Sequence, residues 1–112
     1  MTDLKREKLV VIKLQYEGLH HWKDCNIPEV SFLKDKHRHI FYIELHKKVS
    51  HNDRDIEIIM LKREVLRYLE NSFKNDFGTF SCEDIAEVLL DTFKCQFVQV
   101  LEDNENGAII KL

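Results

Sequence analysis

The chain has 112 residues, of which 44% are hydrophobic and 33% charged, with three Gly and one Pro. That composition describes one folded domain over residues 1–112 and leaves no room for a second core. A net charge of −3 offers no general electrostatic attraction to nucleic acid or to an anionic membrane.

The start, from Met1 to Lys8, carries basic residues but no apolar run of signal-peptide length, and nothing downstream approaches a membrane span. The expected location is the cytoplasm. Lys8 to Tyr16 alternates as a strand, with Val10, Ile12, Leu14 and Tyr16 on one face and Lys13 and Gln15 on the other. A long loop, Gly18 to Lys36, follows and contains Pro28. His37 to Val49 is the second strand, because β-branched and aromatic residues dominate and His37, His39, Phe41, Ile43 and Leu45 share a face.

After a turn at His51 to Arg54 the period becomes helical. Ile58, Leu61, Val65, Leu69 and Phe73 form an apolar stripe that ends near Lys74 to Gly78. Ser81 is an N-cap with Asp84 three residues on, and Ile85, Val88, Leu89 and Phe93 are the buried face of a shorter helix. Cys95 to Glu102 alternates again, and Asn106-Gly107 is a turn signal before Ala108 to Ile110, so a hairpin closes the chain. The order is β-β-α-α-β-β, an α+β fold with a four-stranded antiparallel sheet and two helices on one face. Such a sheet leaves its other face and both edges uncovered, which points to a homo-oligomer.

Cys25, Cys82 and Cys95 are odd in number, widely spaced and without a C-x-x-C pair. Neither a disulfide framework nor a cysteine-built zinc site is expected from them. The histidines carry more chemistry. His37 and His39, two apart on a strand, point to one face about 6 to 7 Å apart and can converge on a cation. The strand before them ends at His20 and His21, either of which an antiparallel neighbour brings beside the pair. Three neutral imidazoles suit zinc or another divalent transition metal. The plainer reading of H-x-H is two half-buried polar residues.

These signals occur in the order of the 6-pyruvoyltetrahydropterin synthase and 6-carboxytetrahydropterin synthase family. Tyr16-Glu17-Gly18-Leu19-His20 is similar to that family's aromatic-x-Ala-Ala-His strand end, and His37-Arg38-His39-Ile40-Phe41 resembles its His-Gly-His-x-aromatic motif. Ile56-Glu57-Ile58 with Leu61-Lys62 is similar to its Ile-x-Asp-Phe-x-x-Leu-Lys, and Ser81 to Ala86 resembles its Pro-Thr-x-Glu-Asn-Leu-Ala. Val98 to Glu102 resembles Val-x-Val-x-Glu.

The resemblance implies the tunnelling fold, oligomerising into a barrel through a trimer-based assembly such as a hexamer. It implies that His20 joins His37 and His39 on zinc. It also implies that Glu102 accepts hydrogen bonds from the N–H edge of a pterin or purine, with main chain near Ser81 and Cys82 completing a pocket between subunits; a carboxylate suits that edge because it accepts two parallel N–H bonds.

The departures are as informative. Leu33 stands where the family has its catalytic cysteine, and the family's Leu-Asp-His segment after the first helix has no counterpart between Tyr68 and Ser81. Proton abstraction beside a carbonyl needs a positioned base, and two suppliers are gone. The expected function is therefore non-catalytic binding of a purine- or pterin-containing small molecule. Such a protein can sequester a nucleotide signal, as some phage counter-defence proteins do. The alternative is a zinc-dependent lyase or hydrolase of a pterin or nucleotide substrate, with Cys25 or Glu29 in place of the cysteine. Trp22 and Tyr42 are pocket walls or exposed interface aromatics, and His46 and His51 are expected in solvent.

Overall fold

The computed structural model describes residues 6–112, so most of the basic amino-terminal stretch lies outside the described residues. Two long strands come first, β1 (Lys8–His20) and β2 (His37–Val49), with a 3-10 segment (Pro28–Lys34) between them. Two helices, α1 (Ile58–Phe73) and α2 (Cys82–Phe93), precede the short strands β3 (Phe97–Glu102) and β4 (Asn106–Lys111). The sheet is antiparallel throughout, in the order β1-β2-β3-β4. None of the described helices is long and apolar enough to cross a membrane.

Register follows the alternation. Ile12 pairs with Leu45, Leu14 with Ile43 and Tyr16 with Phe41, while Ile43 and Leu45 meet Val100 and Val98 on β3. All of these side chains are buried on one face, against Leu61, Val65 and Leu69 of α1 and Ile85, Ala86 and Leu89 of α2. Because the side-chain period of a strand is two, a slip of one residue would turn this apolar set to solvent, so burial locks the pairing.

Each helix begins where its first amides find an acceptor. The Ser81 hydroxyl accepts from the Asp84 N–H while the Asp84 carboxylate accepts from the Ser81 N–H, a reciprocal cap on α2. At α1 the Glu57 carboxylate accepts from the Ile59 and Met60 N–H groups. Lys74 and Lys94 end the two helices in the left-handed region, at φ 50° and 49°.

Two boundaries differ from the sequence reading, each for a physical reason. First, β1 continues through the expected loop start to His20, because residues beyond α1 supply partners on its free side. Leu19 N–H donates to the Asn75 carbonyl, Phe77 N–H to the Leu19 carbonyl, and His21 N–H to the Gly78 carbonyl. Gly18 is required there: a Cβ at that position would stand 2.7 Å from the Phe77 ring.

Second, the closing hairpin turns at Asp103 and Asn104 rather than at Asn106-Gly107. Asp103 and Asn104 take positive φ, 54° and 60°, and Glu105 N–H donates back to the Glu102 carbonyl. Asp and Asn tolerate that conformation, so the turn forms three residues earlier. Asn106 and Gly107 lie in β4, opposite Glu102 and Leu101. Gly107 serves close approach: a Cβ there would sit 1.8 Å from the Val100 carbonyl oxygen.

Leu69 of α1 is fully buried in the core. Leu69→Ala is expected to lower the unfolding free energy by about 2–5 kcal/mol, measured by urea denaturation.

Candidate metal centre

The end of the β1–β2 ladder builds the site. His20 is directly opposite His37, and His39 is opposite Gly18, so the three imidazoles fall on the face that also carries the core. Their rings pack edge to face, with centroids 4.5 Å apart for His20 and His37, 5.2 Å for His20 and His39, and 5.0 Å for His37 and His39. The last value is shorter than the spacing of alternate positions along a strand. Phe41 forms the floor, 5.2 Å from His20 and 5.7 Å from His39 by ring centroid.

The outer nitrogen of each ring is held. His20 Nδ1 donates to the Phe80 carbonyl at 2.9 Å, and His37 Nδ1 to the Asp35 carbonyl at 2.8 Å. A carbonyl only accepts, so in both rings Nδ1 carries the proton and Nε2 keeps its lone pair when the ring is neutral. His39 Nδ1 lies 2.7 Å from Asp103 Oδ2, and the other oxygen of that carboxylate accepts the Ile40 N–H at 3.0 Å. Outer partners of this kind orient imidazoles toward a metal and raise their basicity.

One ring nitrogen from each histidine lies within 4.8 Å of the others. With Nδ1 occupied, Nε2 is the nitrogen left to bind, and the Nε2 atoms of His20 and His39 are buried without a hydrogen-bond partner. Unpaired buried lone pairs are costly, and a divalent cation would satisfy these two together with the Nε2 of His37. The residues present therefore fit a metal ion, and His20, His37 and His39 are the ones able to hold it.

Glu102 lies against the same rings. Its Oε2 is 3.0 Å from His20 Nε2, not aligned for a hydrogen bond, and its Oε1 is 3.6 Å from His39 Nε2. Cys82 Sγ approaches Oε2 at 3.6 Å. Burial works to depress the basicity of His20, but the Glu102 carboxylate and the Phe80 carbonyl outweigh it and raise the imidazole above its ordinary range. Glu102 is correspondingly lowered, chiefly by His20 and against the opposing effect of burial. Asp103 is lowered by its hydrogen bond with His39 and by the Ile40 N–H.

A cavity of about 330 Å³ opens beside the histidines, lined by His20, His21, Trp22, Leu33, His37 and the segment from Thr79 to Ser81, with Glu83 at its border. Its size is at the lower end for small-molecule sites. Ser81 lines it, whereas Glu102 and Cys82 do not. A larger groove of about 540 Å³ runs along β1 to β3 past Lys13, Tyr42 and Gln99, remote from the histidine cluster.

The other residues singled out in the sequence separate clearly. His21 is outside the three-nitrogen cluster and faces the cavity. Cys25 is buried in the loop before β2, its thiol directed at the Ile27 and Val30 carbonyls, and Glu29 is exposed; neither lines the cavity. Trp22 is a cavity wall, but Tyr42 is not. His46 is not in open solvent, since it stacks on Phe97 at 4.1 Å and its Nε2 lies 2.6 Å from Glu44. His51 remains exposed beside Asp55. Arg38 points away from the histidines and pairs with Glu17.

Three anchors escape a reading of the sequence: Asp103 and the carbonyls of Phe80 and Asp35. Asp103 directly follows Glu102, but its role depends on the left-handed turn that folds its carboxylate back onto β2. Carbonyl anchors carry no side-chain signal at all. Compared with models of known protein families and with curated proteins, the chain matches none.

Two outcomes follow. Asp103→Asn keeps the tolerance for positive φ but gives up one of the two carboxylate bonds. Zinc affinity measured by chelator competition should fall by about tenfold while the fold persists. The Cys82 thiol is pushed up to about 12, by burial first and then by the Glu102 charge. Mass spectrometry after iodoacetamide treatment of the folded protein at pH 8 should find Cys82 unmodified.

Proposed function

We propose that the chain is a degenerate, tunnelling-fold relative of the pterin synthases that holds a divalent metal ion on His20, His37 and His39 and captures a purine- or pterin-containing small molecule. The observation that carries this reading is the convergence of three imidazoles, each anchored through Nδ1, two of which, His20 and His37, line an apolar cavity. A bound metal ion would supply positive charge for an oxyanion or hydroxyl of the ligand.

The chain's own residues supply the rest. Trp22 offers a flat face on which a heterocycle stacks, and Phe80 and Leu33 exclude water from the same space. Thr79 and Ser81 carry hydroxyls at the wall, and the buried Nδ1 of His21 lacks a partner until a ligand arrives. Leu33 lines the cavity at the position where the resembling family has its cysteine, so this wall has no thiol. Capture without turnover is the reading that follows, with sequestration of a nucleotide signal as its biological form.

The same proposal includes self-assembly. β1 is an edge strand of 13 residues whose outer side is covered at Leu19 by residues 75–78. The sheet face away from the helices carries Leu9, Val11, Leu19 and Ile109, all exposed, beside half-buried Tyr42 and Leu101. A long edge and an apolar outer face favour pairing with further copies, as a trimer-based barrel would provide.

Trp22 is the single tryptophan, so its fluorescence reports on the cavity. Zinc-loaded protein titrated with guanine, adenine and pterin compounds should show a Trp22 fluorescence change with at least one class. The same compound at about a hundred times its dissociation constant should stabilise the fold by roughly 2.7 kcal/mol in thermal denaturation. A flat fluorescence trace and an unmoved midpoint across the whole panel would defeat the reading, as would zinc uptake unchanged in a His37→Ala, His39→Ala variant.

A further inference from the structure

We propose that Glu102 is the fourth ligand of the histidine centre, so that the resting site is closed by a carboxylate rather than left open for an incoming group. The inference rests on the reading of His20, His37 and His39 as a metal centre and adds to it a role for Glu102 other than gripping a heterocycle.

Position comes first. Glu102 ends β3 directly opposite Phe41, whose side chain is the floor of the histidine cluster. Residues directly paired across an antiparallel ladder share a face, so the register delivers the carboxylate to the histidines. Both of its oxygens are directed there, one 3.0 Å from His20 Nε2 and the other 3.6 Å from His39 Nε2. Zinc–ligand bonds of about 2.0–2.1 Å in a tetrahedron put neighbouring donor atoms about 3.3 Å apart. The two carboxylate distances bracket that edge, and the imidazole nitrogens lie within 4.8 Å of one another.

Chemistry points the same way. His20 donates through Nδ1 to Phe80, so a neutral His20 leaves its Nε2 lone pair 3.0 Å from a carboxylate oxygen, and a cation bound to both, a proton or a metal ion, relieves that contact. Asp103 does not compete, because it is committed to His39 Nδ1 and the Ile40 N–H. The two adjacent carboxylates therefore divide the work, Asp103 orienting a ligand and Glu102 serving as one. Charge balance favours the arrangement: three neutral imidazoles leave a divalent ion at +2 in a site where His20 is 7% exposed, and one carboxylate halves that charge. Glu102 also stays out of the 330 Å³ cavity, which His20 and His37 line.

Cobalt(II)-loaded wild type and Glu102→Gln, titrated with azide and followed by visible absorption, test the proposal, together with cobalt affinity from chelator competition. The wild-type spectrum should be insensitive to azide, while Glu102→Gln should respond to it and bind cobalt at least about tenfold more weakly. Equal affinities with equal azide responses in both proteins would overturn the role of Glu102 and leave the three-histidine centre standing. Failure of the wild type to take up cobalt would remove that centre, and this proposal with it. Should Glu102→Gln not fold by circular dichroism, the wild-type azide response decides alone, because a ready spectral shift means an open position.

Discussion

The antiparallel pairing of β1 with β2 is the constraint on which the core and the histidine cluster both depend. One register sets Tyr16 opposite Phe41, Gly18 opposite His39 and His20 opposite His37. The first of these pairs is core, the last is site, and the middle one is the hinge between them. Because both strands keep their period of two without a bulge, the face that packs on the helices becomes, at its far end, the face that presents imidazoles. Hydrophobic burial of Ile12, Leu14, Ile43 and Leu45 thereby positions chemistry several residues away.

Burial also sets the electrostatics. His20 sits at the edge of the core, and its environment is a balance between desolvation, which disfavours the imidazolium, and a carboxylate that favours it. The carboxylate prevails because Glu102 is itself partly sheltered and faces two histidines. A cluster arranged in this way attracts a cation, whether a proton or a metal ion. The outer partners give it direction: two main-chain carbonyls and Asp103 each occupy an Nδ1, and three chain segments distant in sequence meet to do so.

In the proposed function the metal would sit on the three histidines, and what surrounds them departs from the pattern the resemblance implies. Leu33 and Trp22 make the cavity wall apolar, and the thiols of Cys25 and Cys82 face elsewhere. Cys82 in particular is turned toward Glu102, where burial and a neighbouring negative charge keep it a thiol. In the proposed function such surroundings would hold a molecule rather than abstract a proton from it.

Much of the fold is legible in the residues themselves. Alternation in Lys8 to Tyr16 and His37 to Val49, the apolar stripe from Ile58 to Phe73 and the Ser81–Asp84 cap are local patterns, and local backbone preference with side-chain period is enough to determine them. The pairing of His37 with His39 is local too, being two residues apart on one strand. Long-range geometry decided the rest. Which of His20 and His21 joins the pair depends on how far β1 extends, and the amides of residues 75–78 settle that from across the chain. The hairpin turn at Asp103 and Asn104, the anchoring of His39, and the approach of Glu102 depend on strands that meet only after folding. Sequence determined the elements and the candidate ligands, because these follow from neighbours along the chain; tertiary structure alone decided their convergence, because a site is defined by distances that no local pattern encodes.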